Sequence, residues 1–138
     1  MAAATIGVTP IILAYLLVRG KATADEIVRA SYRASRILNR ESIRVDAVFR
    51  RYGNGDVRSE SVDGELSYWL SSGLIRAERD GDRLVYRVAN RDVVNLDSLR
   101  RTYERWARWG DNAAVWLSIE KAATEAAADG VPASQDHP

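Results

Sequence analysis

The sequence predicts a mostly α-helical chain with one small β-hairpin. Three observations lead there. Apolar residues recur at three-and-four spacing in several segments between residues 9 and 128. Helix starts and stops punctuate those segments: Thr9-Pro10, Thr23-Ala24-Asp25-Glu26, Gly53, Gly73 and Gly110-Asp111. Between residues 74 and 89, two strand-like runs meet at Asp80-Gly81, a dipeptide suited to a two-residue hairpin turn. With 138 residues, 46% of them hydrophobic, the chain can build one domain with a helical appendage.

Residues 1–8 are expected to be a flexible N-terminus. Thr9 offers a capping hydroxyl, and Pro10 stands at the first helical position, where its missing N–H costs nothing. Ile11 to Val18 is an unbroken apolar run, so this helix belongs at the centre of the core. The run is too short to span a bilayer and has no basic residue before it, so it reads as a buried helix and not a signal peptide. Thr23 and Glu26 have capping-box spacing and open a helix from Ala24 to about Asn39. Its buried face is Ile27, Ala30, Ala34, Ile37 and Leu38, and Arg29, Arg33, Arg36 and Arg40 form a basic stripe opposite. Residues 42–52 have Val45, Val48, Phe49 and Tyr52 at helical spacing and are expected to form a further helix.

The stretch 62–89 organises the rest. Val62, Leu66, Trp69 and Leu70 form one apolar stripe of a short helix beginning near Ser59, and Gly73 can take the left-handed conformation that ends it. Leu84, Tyr86 and Val88 then alternate with Val85 and Arg87, as in a strand with one buried face. Helix, Gly73-Leu74-Ile75 and a hairpin with a charged tip together resemble the second half of a winged-helix (winged helix-turn-helix) domain. The resemblance is close over residues 59–89 and looser over 9–89. It implies that 59–72 is the recognition helix and 75–88 the wing. Which of 24–39 and 42–52 supports the recognition helix stays open. Beyond a link at 90–95, Leu96, Leu99, Tyr103 and Trp106 keep helical spacing, Asp97 is placed to cap, and a last helix is expected from Ala113 to Ala128. Residues 129–138 read as a disordered tail.

Composition narrows the chemistry. There is no Cys, which removes disulfides, thiolate catalysis and Cys-based zinc sites, and fits a cytoplasmic protein. The one His, His137, lies in the tail. No phosphate loop, nucleophile elbow or metal-ligand spacing is present, and the carboxylate pairs fall at a cap and a turn tip. The expectation is therefore no enzyme, no cofactor and no metal. Net charge is +1, but residues 1–110 carry 19 basic against 14 acidic side chains and residues 111–138 one against five. Nearly every cation is Arg, which suits bidentate phosphate contacts, although coding composition also produces such a bias.

Two readings of function follow. The first is a winged-helix DNA-binding protein, a dimeric transcriptional regulator or chromatin-associated factor that holds double-stranded DNA largely through phosphates. Arg29, Arg33, Arg36, Arg58, Arg79 and Arg83 would supply phosphate or groove contacts, and Ser67, Tyr68 and Ser71 would face the groove. The helices at 90–128 would make a homodimer through Leu99, Tyr103, Trp106, Trp109, Trp116 and Leu117, as helices outside the core do in many members of that family; the alternative is that they fold back over their own core. In the second reading the domain binds a protein partner as a subunit of a larger complex. It is motivated by a recognition-helix face of Glu60, Gly64, Ser67, Tyr68 and Ser71, which lacks the Arg, Lys, Asn and Gln that normally read bases. Neither reading involves a membrane.

Overall fold

The computed structural model describes residues 4–129. Helix α1 (Thr9–Arg19) is its axis: every residue from Pro10 to Leu17 is buried. Around it pack α2 (Ala24–Arg40), α3 (Glu60–Ser72), α4 (Leu96–Trp106), α5 (Asn112–Asp129) and the hairpin of β5 (Ile75–Asp80) and β6 (Arg83–Val88). Burying large aliphatic and aromatic side chains contributes about 1.5–3 kcal/mol each, so a helix apolar on all sides is stable only when so enclosed. The architecture is mostly helical, with two-stranded sheets only among the described residues.

Local chemistry places most boundaries where the sequence expects them. Thr23 and Glu26 form a reciprocal capping box at the start of α2, with N–H to oxygen distances of 3.1 and 2.9 Å. Ser59 caps α3, and Gly73 ends it at φ +81°, donating to the Leu70 carbonyl while Leu74 donates to that of Trp69. Two caps differ. Thr9 lies inside α1 and its hydroxyl donates instead to Glu65; Asn95, not Asp97, caps α4, leaving Asp97 to pair with Arg100 and Arg101. The hairpin turn sits one residue later than expected. Asp80 pairs with Arg83, and of the central residues Gly81 and Asp82 only Gly81 has positive φ, so it is not a type I′ turn. Along β6, Val88 is buried and Tyr86 half-buried against the core, as the alternation expects, but Leu84 is exposed and Val85 on the opposite face is buried.

The expected helix at 42–52 is absent, and this is the main correction. Ser42 turns the chain at φ +62°, and Ile43–Val45 becomes strand β2, paired in parallel with β1 (Ala4–Ile6). The chain then runs through a second small hairpin, β3 (Arg50–Arg51) with β4 (Val57–Arg58). Ile43 and Val45 are β-branched and fit a ladder once a partner strand is present. That partner is the segment expected to be flexible: Ala4, Ile6 and Val8 are all buried. Residues 1–3 and the expected tail after Asp129 lie outside the described residues. Only 24–40 remains to support α3.

The C-terminal helices belong to the core. Along α5, Val115, Trp116, Ile119, Ala122, Ala123, Ala126 and Ala127 are buried, and the small alanines let its backbone come close to α1 and α2. Tyr103 is stacked between Trp109 (5.2 Å, 5° between planes) and Trp116 (5.9 Å, 8°). Burial, reinforced by the negative charge of Glu65, pushes the Tyr103 hydroxyl up to about 12.

Candidate nucleic-acid interface

Helix α3 presents one side to solvent. Val62 and Leu66 are buried, while Glu60, Asp63, Gly64, Ser67, Tyr68 and Ser71 are exposed. Glu65 sits at the boundary and fixes the helix in place: one carboxylate oxygen accepts from the Thr9 hydroxyl at 2.6 Å and from the Trp69 indole N–H at 2.9 Å. Tyr68, 61% exposed, rests edge-on against Trp69 with ring centroids 4.7 Å apart. Glu60 and Asp63 complement the positive end of the helix dipole and thereby oppose an incoming phosphate.

The β5–β6 hairpin is held to the turn between α1 and α2. Ala22 donates to the Tyr86 carbonyl at 3.1 Å and Tyr86 to that of Ala22 at 2.8 Å. Its cations are balanced within the chain. Arg83 lies 3.6 Å from Asp80 and 3.9 Å from Glu26, Lys21 lies 3.3 Å from Asp80, and Arg76 and Arg87 both reach Glu78. Arg79 donates to the Asp82 carbonyl. Such exposed pairs are weak and exchange partners readily, but the tip has little net positive charge to offer.

Positive charge gathers instead along α2 and the β3–β4 hairpin. Arg29, Arg33, Arg36 and Arg40 are all exposed. Arg29 reaches Asp25 at 3.2 Å and Asp56 at 3.5 Å, and Arg58 approaches the same Asp56 at 3.9 Å. The guanidinium groups of Arg36 and Arg51 lie over the Tyr32 ring, 5.8 and 5.9 Å from its centre, and that of Arg58 lies 5.8 Å from the centre of Tyr52. A cleft of about 280 Å³ separates Arg50, Tyr52 and Arg58 from the first turn of α3.

Of the expected DNA contacts, Arg29 and Arg58 are brought together through Asp56, with Arg33 and Arg36 continuing along α2; Ser67, Tyr68 and Ser71 share the outer face of α3; Arg79 and Arg83 form a separate, acid-balanced group. Arg50, Arg51, Tyr32 and Tyr52 were not among them. A helical reading of 42–52 puts Arg50 and Arg51 on a helix surface, whereas the ladder sets them beside α2 and α3.

The six expected dimerisation residues divide differently. Leu99 and Trp116 are buried, and Tyr103 and Trp109 are stacked inside the chain, so these four are occupied by its own core. Trp106, 73% exposed, and Leu117, 61% exposed, remain at the surface. Among the described residues no helix is long and apolar enough to cross a membrane. No known protein family matches the chain, and comparison with curated proteins and with solved structures returns no match either.

Proposed function

We propose that this chain is a winged-helix module that binds double-stranded DNA, as a transcriptional regulator or chromatin-associated factor. The observation that carries the reading is the two-way Ala22–Tyr86 bridge. It ties the α1–α2 turn to the hairpin that follows α3, as the segment between the first two helices of a winged helix pairs with its wing; here strands β2–β4 are inserted between α2 and α3. In this reading α3 is the recognition helix, α2 supports it, and β5–β6 is the wing. The polar outer face of α3 lies towards the duplex, and arginines on neighbouring elements supply the attraction that this face lacks. With Ser and Tyr in place of base-reading Arg, Asn or Gln, binding is mostly electrostatic and only weakly sequence-dependent.

The test is fluorescence anisotropy on a labelled mixed-sequence duplex across a salt series. Affinity should fall steeply with salt, with log K against log salt near −0.9 for each phosphate contacted. Absence of salt-sensitive binding at low salt would overturn the reading. It would favour the alternative, a protein-interaction subunit, for which the acidic first turn of α3 and the exposed Trp106 and Leu117 would be the docking features.

A further inference from the structure

Between α2 and α3 the chain inserts a second hairpin, anchored to the core by Val57 with its arginines left outside. Arg50 stands directly opposite Arg58 in a ladder only two residues long on each strand. Like charges placed opposite each other destabilise a strand pair. Among the described residues Arg50 has no ion-pair partner, and both side chains are exposed. The fold therefore carries an internal repulsion at this point.

The cations around it are held in defined positions. Arg51 on the hairpin and Arg36 on α2 converge on the ring of Tyr32, which is itself braced edge-on by Phe49 at 5.6 Å. Arg58 lies over Tyr52. A guanidinium laid over a ring has its plane restrained while its N–H edges stay available, the arrangement suited to bidentate contact with phosphate oxygens. The acid that touches this group, Asp56, is shared between Arg29 and Arg58 and is also bonded by Asn54 in the turn. It joins hairpin and α2 without cancelling them. The β5–β6 tip is different, since acids there match the cations.

We infer that β3–β4 is a second basic arm, which grips the phosphodiester backbone of a DNA duplex beside α3 through Arg50, Arg51 and Arg58. The inference rests on the DNA-binding reading above and specifies where most of its affinity comes from. The cleft between arm and helix also separates two sources of phosphate. Its far wall carries Glu60 and Asp63, which repel a small anion seated inside it. A duplex backbone can pass along the outer, cationic side of the arm and avoid that wall. Inorganic phosphate is accordingly a poor competitor.

The experiment compares the native chain, Arg50→Gln/Arg58→Gln and Arg79→Gln/Arg83→Gln on the same labelled duplex between about 50 and 200 mM salt, with urea unfolding run on each. The arm variant is expected to bind roughly tenfold or more weakly. Its salt slope should be shallower by about 1.8, for two lost contacts. Its urea midpoint should stay the same or rise, because the repulsion is gone. The hairpin-tip variant should lose less, and millimolar inorganic phosphate should not displace the duplex. If the native chain binds and the arm variant binds equally well with the same slope, the arm inference fails while DNA binding stands. Weaker binding accompanied by a lower urea midpoint makes the arginines structural and also overturns it. Displacement by inorganic phosphate would mean a small-anion site and ends the duplex assignment. If the native chain shows no salt-sensitive binding, the DNA reading itself fails, and an acidic protein surface replaces the duplex as the arm's partner.

Discussion

Replacing Trp116 by Ala tests whether the C-terminal helices are part of the core. Trp116 is wholly buried, its ring is stacked on Tyr103, and its indole N–H donates to Glu120 at 3.1 Å. Truncating a buried Trp typically costs about 3–5 kcal/mol, from lost transfer energy and the cavity left behind. Glu120 also loses its donor, and Tyr103 loses one of its two ring neighbours, so the upper half of that range applies. A domain of this size has about 5–15 kcal/mol in total. With a urea m-value of about 1–3 kcal/mol/M, the midpoint should fall by about 2 M. Equilibrium urea unfolding followed by far-ultraviolet circular dichroism reads this directly. Trp106→Ala is the control: its ring is mostly in solvent, and the change should stay within about 0.5 kcal/mol. If Trp116→Ala costs less than about 1 kcal/mol, or melts α4–α5 while the remainder unfolds at the native midpoint, the single-core account is wrong.

Two other perturbations follow from the same packing. Tyr103 holds its proton more tightly folded, at about 12, than unfolded, near the ordinary 10.0, and burial raises Tyr15 in the same direction. The folded state therefore binds more protons than the unfolded state at alkaline pH. The Tyr103 contribution is complete below pH 10 and fades as pH climbs towards 12, by about 2–3 kcal/mol at most. Urea midpoints at pH 8 and pH 11 should show that loss, smaller in Tyr103→Phe; an equal loss in both proteins would remove Tyr103 as the cause. Gly64→Ala should raise stability by about 0.5–1 kcal/mol, because Gly64 is exposed in mid-helix and an added Cβ meets nothing within 4 Å. The same change should weaken duplex binding if α3 approaches its target closely; a lowered urea midpoint would show the helix account of Gly64 to be mistaken.

Much of this was legible in the residues, and the limits have physical causes. Thr23, Ser59 and Gly73 mark helix ends because capping depends on neighbours a few positions away. Ile11 to Leu17 announce a central helix because no other placement hides so many apolar groups. The segment 42–52 reads as a helix because Val45, Val48, Phe49 and Tyr52 do fit a helix face, whereas the deciding interaction is with Ala4–Ile6, almost forty residues earlier. Helical spacing carries no trace of such a distant partner. The site was affected accordingly. Arg29, Arg33, Arg36 and Arg58 could be chosen from local pattern, but Arg50 and Arg51 acquire their setting from the ladder with Val57 and Arg58. Trp109 and Trp116 are covered, as their size demands, whereas Trp106 stays exposed. Whether a second subunit or the chain itself supplies that cover depends on α5 lying against α1 and α2, which composition does not encode.

The short parallel pairing of Ala4–Ile6 with Ile43–Val45 has a consequence for how the molecule is handled. Asp46 donates to the Ile6 carbonyl at 2.7 Å just where the chain sets out towards Arg50. The earliest residues are thus the mooring of a surface feature that comes some forty positions later. Removing residues 4–6 would slacken that mooring and alter the reach of the arginines, and it would also uncover the part of the core that Ala4 and Ile6 close.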